Sequence, residues 1–323
     1  MDTVFDKIAE STVTFNLGDE ETWRQLYEPF YGSPVAGVKV IKDRQYGTHE
    51  RHRLDVYVPS SKQGRKSVLF FVHGGGFFSG DKGWSEKCWA NIGYFFANAG
   101  IVVVIANHRL VPHVQHPGGA EDIQMVREWI YHNINSQEYG HGDPNKTILF
   151  GHSSGGAHIA TNLFLTSRSR IFPPVAGVMF FSVPWWFDTV TRPIRKRVIT
   201  QYYGSDKEEL WGPQSPLGLF RDLPVDSPLL DSDNVPMYLG TVKWEVKEAV
   251  DANMAFFDAY RAKSKPAGTL PLLNVLDKHN HLSNILSIGT EDTSQSSLIL
   301  DFVNSCVLNV EKRGNGLESK PSL

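Results

Sequence analysis

The sequence predicts an α/β fold in which a mostly parallel, doubly wound sheet is covered by helices on both faces. Strand-like and helix-like segments alternate along the chain, and the central strands are continuous apolar runs. Such runs are typical of strands that are buried on both faces of a parallel sheet. The alternation therefore predicts right-handed β–α–β connections around a large core.

Eight segments have the length and apolar content of strands. In chain order they are Val35–Val40, Arg53–Val58, Ser67–Val72, Ile101–Asn107, Thr147–Gly151, Ala176–Ser182, Met237–Thr241 and Leu272–Leu276. Five segments are predicted helices, namely Glu86–Ala99, Gly119–Ile134, Ser154–Thr166, Glu245–Ala262 and Thr293–Leu308. In the second helix Ile123, Val126, Ile130 and Ile134 recur at helical spacing, which gives that helix one apolar face.

Two aromatic-rich segments interrupt the alternation, and we interpret both as cap elements. Residues 1–34 precede the first strand, and residues 185–234 separate two strands. Long insertions in a compact domain usually form lids or binding loops. The predicted organisation is therefore an N-terminal cap segment at 1–34, a core at 35–184 and 235–310, a cap insertion at 185–234 and a flexible, polar tail at 311–323.

Composition and charge exclude several classes of function. The chain has 323 residues, 41% of them hydrophobic, and a net charge of −3, which indicates a large core and no nucleic-acid or membrane-surface partner. No segment approaches a membrane span, and the acidic N-terminus does not resemble a signal peptide. Cys88 and Cys306 lie far apart, which favours free thiols in a reducing compartment. We therefore expect a cytoplasmic protein, without a cofactor or a metal site.

The segment Gly151–Gly155 reads Gly-His-Ser-Ser-Gly and lies between an apolar strand and a helix-like stretch. This pattern at that junction is typical of a nucleophile elbow, in which a strained turn presents a serine hydroxyl above the sheet. Side chains at Gly151 or Gly155 would collide with the neighbouring backbone, so both positions need glycine. The pattern predicts Ser153 as a nucleophile. The alternative is a glycine-rich βα turn of some other α/β protein.

A second glycine-rich segment, His73–Phe77, follows the apolar strand that ends at Val72. Consecutive glycines let backbone N–H groups approach the oxyanion that forms when a serine attacks a carbonyl. We assign this oxyanion hole to the N–H groups of Gly75, Gly76 and Ser154. A phosphate-binding loop is the competing interpretation, but the lysine and hydroxyl spacing of that motif is not present.

A nucleophilic serine needs a base, and the base needs an acid that orients it. On folds with such an elbow, the acid and then the histidine follow the serine along the chain. Glu245 is the first carboxylate after the strand that follows the insertion, while Glu248 and Asp251 lie further into the next helix. The base should follow the last strand, where His279 and His281 are both candidates.

These motifs resemble those of the α/β-hydrolase superfamily over residues 50–310, in particular the hormone-sensitive-lipase-like esterases and the related kynurenine formamidase group. The family's oxyanion, Tyr-Arg-Leu-Ala-Pro, aspartate and nucleophile motifs match, in that order, His73–Phe77, His108–Pro112, Asp122 and Gly151–Gly156. The segment before the family's acid aligns with Thr241–Trp244, and its final histidine motif aligns with Lys278–His281.

The resemblance implies a catalytic triad of Ser153, Glu245 and His281, and so favours His281 over His279 as the base. It also implies an α/β-hydrolase fold with a mostly parallel eight-stranded sheet, helices on both faces and a small cap. Three departures from the family motifs, none of which removes a catalytic group, are His108 for tyrosine, Lys278 for glycine and Glu245 for aspartate.

The expected function is a serine hydrolase that cleaves a small, apolar or aromatic carboxylic ester through an acyl-enzyme. Six apolar residues are expected around the nucleophile, namely Phe77, Phe78, Trp84, Trp185, Trp186 and Leu282. One alternative is an aryl formamidase that acts on amides such as N-formylkynurenine. Another is a non-catalytic ligand receptor on the same fold. The expected partner is a small-molecule substrate, and fold analogy alone leaves a homodimer open.

Overall fold

The computed structural model of the chain describes most of its residues, and the account below concerns these alone. The described ranges are 1–11, 19–32, 34, 36–61, 64–190 and 193–318. Helix side chains are described to residue 313, and those of 193 and 194 are left aside.

The described residues form eight strands and eleven α-helices. The strands are β1 (Lys39–Gln45), β2 (Arg53–Val58), β3 (Lys66–Val72), β4 (Val102–Ala106), β5 (Gly142–His152), β6 (Gly177–Phe181), β7 (Met237–Trp244) and β8 (Leu272–Asn280). The helices are α1 (Asp2–Ser11), α2 (Asp19–Tyr27), α3 (Ala90–Asn98), α4 (Gly118–Asn133), α5 (Ser154–Thr166), α6 (Pro193–Tyr203), α7 (Glu208–Trp211), α8 (Pro216–Arg221), α9 (Lys247–Lys263), α10 (Ser283–Leu286) and α11 (Ser294–Glu318).

The strands form a single sheet in the order β1-β2-β4-β3-β5-β6-β7-β8. The first two pairs, β1 with β2 and β2 with β4, are antiparallel, and every later pair is parallel. The predicted α/β fold with a mostly parallel eight-stranded sheet is therefore confirmed. In such a sheet the loops after β3, β5, β7 and β8 meet at the carboxyl edge, where ligands bind in α/β proteins.

The sheet separates two apolar layers, which explains the continuous apolar runs of its central strands. Along β3, Val68, Phe70 and Val72 face one layer, while Leu69 and Phe71 face the other. Successive side chains of a strand point to opposite faces, so every position of a doubly covered strand must be apolar. The prediction that both faces carry helices follows from the same pattern and is confirmed.

The two cap segments pack on opposite layers of the sheet. The N-terminal helices α1 and α2 place Val4, Ile8, Trp23 and Tyr27 in the layer that also holds Phe71. The insertion folds as α6, α7 and α8, whose apolar residues join the layer that holds Phe70. Most cap aromatics therefore contribute to the core, where burying large rings stabilises the fold.

Several predicted element boundaries were wrong: β5 begins at Gly142 rather than Thr147, α3 at Ala90 rather than Glu86, and α9 at Lys247 rather than Glu245, while β7 runs on to Trp244. Strand β1 covers Lys39–Gln45 rather than Val35–Val40, because its register is set by antiparallel pairing with β2. Strand β8 runs on to Asn280 instead of ending at Leu276. Helix α11 runs to Glu318, so residues 311–318, which we assigned to a flexible tail, continue that helix. The last five residues lie outside the described chain.

A search of the described helices for one both long and apolar enough to cross a membrane found none.

Candidate active site

Ser153 occupies a tight turn between strand β5 and helix α5. Its backbone angles are φ 51° and ψ −128°, which a residue with a side chain rarely adopts. A methyl group added at Gly151 would lie 2.5 Å from the Cα atom of Gly156, and one added at Gly155 would lie 2.4 Å from the carbonyl oxygens of Val72 and His73. Glycine at both positions therefore permits the turn, as the sequence predicted.

A continuous hydrogen-bonded chain joins Ser153, His281 and Glu245. The Nε2 atom of His281 lies 3.0 Å from the Oγ atom of Ser153, and its Nδ1 atom lies 2.7 Å from Oε1 of Glu245. Because a carboxylate oxygen accepts, Nδ1 carries the proton and Nε2 presents its lone pair to the serine hydroxyl. This tautomer is the one that lets an imidazole act as a general base.

These three side chains differ in how deeply they are buried. Glu245 is only 1% exposed, and its Oε1 atom also accepts a hydrogen bond of 2.9 Å from the backbone N–H of Val246. His281 is 9% exposed and Ser153 is half-buried, so only the serine end of the chain opens towards solvent. Glu248 instead binds Arg195, and Asp251 binds Lys247, so neither alternative acid replaces Glu245.

His279, the alternative base, lies on the other side of the same loop. Its Nδ1 atom is 3.0 Å from the Oγ atom of Ser283, and its Nε2 atom is 2.9 Å from Oδ2 of Asp292. The side chain is therefore engaged away from Ser153. Asn280 and Ser283 fix the turn before α10 by reciprocal hydrogen bonds, because Oδ1 of Asn280 accepts from Ser283 N while Ser283 Oγ accepts from Asn280 N. These contacts fix the loop that carries His281.

The glycine loop after β3 presents backbone N–H groups beside the elbow. Gly75 has a φ of 132° and Gly76 a φ of 62°, and a methyl group on Gly75 would lie 2.0 Å from the Ser79 carbonyl oxygen. Within the described chain, the N–H groups of Gly75, Gly76 and Ser154 have no hydrogen-bond acceptor. Ser154 is the first residue of α5, where an N–H group has no partner inside the helix.

Hydrogen bonds from neighbouring residues hold this loop in place. The Nε2 atom of His73 lies 3.2 Å from Oδ1 of Asn107, and the N–H group of Val111 donates to the Phe77 carbonyl at 3.0 Å. The neighbouring Arg109 is held by the fully buried Asp122, which accepts from its backbone N–H at 2.7 Å and from its guanidinium. Asp122 thus anchors the segment that is hydrogen-bonded to the glycine loop.

The predicted substrate-contact residues are corrected in part. Trp185 is 0% exposed, because its ring stacks on Phe256 at 3.5 Å and its Nε1 atom donates to Asn253. Phe77 is 2% exposed and stacks on Tyr202. Both residues belong to the core and offer a substrate almost no surface, because α9 covers Trp185 and Tyr202 of α6 covers Phe77.

The other four residues predicted to contact the substrate lie in different parts of the structure. Trp186 lines a groove of about 440 Å³ between the cap insertion and α9, and the lining of that groove does not include Ser153, His281 or Glu245. Leu282 follows His281 directly and is buried in the second apolar layer. Phe78 and Trp84 are half-buried, and each follows the glycine loop closely in sequence. These two remain the predicted contacts nearest in sequence to the oxyanion loop that keep exposed surface.

Several histidines around the site are buried and neutral. Burial lowers the pKa of His73 to about 3 and, together with the nearby His281, that of His152 to about 3. Burial also lowers the pKa of His116 to about 4 and that of His158 well below its usual value. The cause is desolvation of the charged imidazolium. In the described part of the chain, these histidines join no cluster of metal-binding side chains.

The hydrogen bonds around the site differ in whether the sequence could have predicted them. The reciprocal hydrogen bonds of Asn280 and Ser283 join residues close in sequence and could have been found. The contacts of His279 with Asp292, and of His152 with the carbonyl of His281, join residues whose sequence neighbours reveal nothing of them.

Part of the chain is similar in sequence to known esterases. A family model described as BD-FAE matches residues 54–174. A probable isoprenylcysteine alpha-carbonyl methylesterase of Oryza sativa subsp. japonica is 37% identical over 135 residues, which are 42% of this chain and 29% of that protein. Venom carboxylesterase-6 of Apis mellifera is 30% identical over 158 residues, or 44% of this chain and 26% of that protein. The chain thus spans under a third of the length of these relatives.

Solved esterase structures share the whole fold. Esterase B from Lactobacillus rhamnosis superposes with a TM-score of 0.73 at 15% identity, covering 99% of each chain. EstE1, a carboxylesterase cloned from a metagenomic library, superposes with a TM-score of 0.63 at 18% identity, covering 90% of this chain and 95% of that one. At such identities the likeness concerns the fold alone.

The strand order and the serine elbow define a protein of the α/β-hydrolase class. The chain shares this fold with the solved esterase structures, and in sequence it resembles the BD-FAE family model and the carboxylesterases over less than half of its length. The kynurenine formamidase branch of the predicted resemblance stays a prediction.

The glycine at position 155 can be tested by stability. We expect Gly155→Ala to lower the free energy of unfolding by about 3 kcal/mol or more, because its methyl group would lie 2.4 Å from two backbone oxygens. Gly32→Ala is the matched control, since nothing lies within 4 Å of its added methyl, and it should change stability by less than about 0.5 kcal/mol. Urea unfolding measures both, and equal stabilities would contradict the tight-turn geometry.

The buried histidines predict a loss of stability in mild acid. Below about pH 6.5 the unfolded chain binds protons that the folded chain excludes, so the free energy of unfolding falls as the pH drops from 6.5 towards 4. His116→Phe keeps an aromatic ring against Tyr203 and should flatten that dependence by up to about 1.4 kcal/mol per pH unit.

Urea unfolding at several pH values between 7 and 4.5 measures this slope. The control is His113→Phe, because His113 is exposed. An unchanged slope in His116→Phe would mean that this histidine takes up its proton in the folded protein.

Proposed function

We propose that this protein is a serine hydrolase that cleaves a small carboxylic ester through an acyl-enzyme. The observation that carries the proposal is the chain from Ser153 through His281 to Glu245, with hydrogen bonds of 3.0 and 2.7 Å. The esterase names of the relatives support it. The groups this chemistry requires, a nucleophile, a base and an orienting acid, are within reach of one another.

The mechanism follows from the tautomer of His281. Its Nε2 atom takes the proton from the Ser153 hydroxyl as Oγ attacks the ester carbonyl, and the ring becomes an imidazolium. Glu245 stabilises that positive charge through the proton on Nδ1. The imidazolium then returns its proton to the leaving alcohol, and the carbon–oxygen bond to that alcohol breaks. Water repeats the sequence on the acyl-enzyme, which releases the acid and restores Ser153.

The negative charge that forms on the carbonyl oxygen is bound by the glycine loop. The N–H groups of Gly75, Gly76 and Ser154 have no acceptor in the described chain, so they are free to donate to an oxyanion. Each donor of this kind contributes about 3 kcal/mol to the transition state. Their backbone is fixed by the loop conformation, so little reorganisation is needed during the reaction.

Apolar surroundings support a small, apolar or aromatic ester as the substrate. Phe78 and Trp84 keep exposed surface close in sequence to the glycine loop, and aromatic rings of this kind favour an apolar acyl or alcohol group. An aryl formamide of the N-formylkynurenine type is the competing substrate. The cytoplasmic location and a homodimer also stay proposals from the sequence.

Removing the nucleophile tests the central assignment. Ser153→Ala should abolish hydrolysis of p-nitrophenyl butyrate, lose labelling by a fluorophosphonate probe and unfold at the wild-type temperature, because only the attacking oxygen is lost. Steady-state assays, gel labelling and thermal unfolding measure the three properties. A folded Ser153→Ala protein with wild-type turnover would overturn the assignment.

Changing the acid tests the orientation of His281. In Glu245→Gln the amide is uncharged and can donate, so it no longer selects the tautomer with the proton on Nδ1 and cannot stabilise the imidazolium. We expect kcat to fall by about 10³ to 10⁴-fold with KM little changed. Asp251→Asn, at an exposed position in the helix that follows Glu245, is the control and should keep wild-type kcat. Equal rates in both variants would exclude Glu245 from the reaction.

The choice of substrate is settled by comparing kcat/KM for p-nitrophenyl butyrate and N-formylkynurenine, with Ser153→Ala as the blank. Turnover of the ester alone supports the proposal. A strong preference for the formamide would replace it with an aryl formamidase. Turnover of neither, with strong fluorophosphonate labelling, would restrict the ester to a narrower chemical class.

A further inference from the structure

His152, the residue before the nucleophile, makes one directed contact. Its Nε2 atom lies 2.7 Å from the backbone carbonyl oxygen of His281. A carbonyl oxygen can only accept, so Nε2 carries the proton and donates it. The ring is 1% exposed, and within the described chain its Nδ1 atom has no hydrogen-bond partner. The single N–H group of the ring therefore donates to the main chain of His281, the residue proposed as the base.

This contact joins two loops whose strands are not neighbours in the sheet. Strand β5 carries the elbow and strand β8 leads to His281, and β6 and β7 lie between them. Three strand spacings separate the two strands by about 14 Å, so small changes in twist would move the base relative to the nucleophile. Ser153 follows His152 directly, so the hydrogen bond joins the two active-site loops at their nearest point.

The other hydrogen bonds of the loop that carries His281 hold different atoms. Asn280 and Ser283 fix the turn through each other, and His279 binds Asp292. Each of these contacts holds the loop to itself or to the segment before α11. The contact from His152, by contrast, ties the main chain of His281 to the elbow.

Resting on the proposed function, we propose that His152 is a positioning residue, which holds the His281 main chain so that Nε2 stays within hydrogen-bond reach of Ser153. The neutral ring suits this role, because a second positive charge 5.1 Å from the His281 ring would oppose the imidazolium that forms there during the reaction. Burial keeps His152 neutral at the pH of catalysis.

The experiment compares three variants of the full-length chain. His152→Phe keeps an aromatic ring but has no donor, and His152→Gln keeps a donor. His116→Phe removes a half-buried histidine whose described ring contacts are with Tyr202 and Tyr203 rather than His281, and it is the control. His152→Met, which also lacks a donor, replaces the phenylalanine variant if that variant does not fold. Turnover of p-nitrophenyl butyrate is expressed per active site, titrated with a fluorophosphonate.

We expect His152→Phe to lower kcat per titrated site by about 10- to 100-fold with KM changed by less than about threefold, because the base is misplaced but the substrate still binds. His152→Gln should recover most of this loss, and His116→Phe should match the wild type. A loss of folded protein alone would lower the titrated fraction and leave kcat per site unchanged.

The proposal is overturned if His152→Phe keeps wild-type kcat per site, or if His152→Gln is as slow as His152→Phe. A second readout needs no substrate. The downfield proton resonance of the Nδ1–H group shared by His281 and Glu245 should broaden or shift in His152→Phe and stay in place in His116→Phe. If the wild type neither labels nor hydrolyses the ester, the proposed function fails, and this resonance still tests the tether by itself.

Discussion

The close approach between the end of β5 and the start of α5 is the constraint on which the site depends. At this point helix backbone lies against strand backbone with no room for a side chain at Gly151 or Gly155. The approach holds Ser153 in a conformation that an isolated peptide would leave. It also brings the elbow against the carbonyl oxygens that end β3, so the neighbouring glycine loop lies beside the serine.

Two buried carboxylates near this point are held by directed contacts. Asp122 and Glu245 are both carboxylates with almost no exposure, and each binds a neighbouring main-chain N–H group as well as a side chain. An unpaired buried charge would be costly, so each pairing has a specific geometry. The surrounding histidines stay neutral because nothing compensates the cost of charging them. The result is a rigid polar centre inside two apolar layers.

Much of this arrangement could be predicted because its signals are local. Gly151 and Gly75 each avoid a contact with backbone five or fewer residues away, and the apolar strands show their burial along a single segment. The choice between His279 and His281 needed the family resemblance, since both follow β8. Trp185 was misplaced because an aromatic residue has the same pattern whether it lines a pocket or stacks on Phe256 in the core. The partner of His152 lies 129 residues away and has no pattern.

The family model ends at residue 174, between the serine and its partners. The matched segment carries the glycine loop and Ser153. Glu245, His281 and the helices of the insertion lie beyond it. The likeness to the family model therefore covers the turn that holds the serine, while the side chains hydrogen-bonded in series to that serine come from the part of the chain that the model does not match.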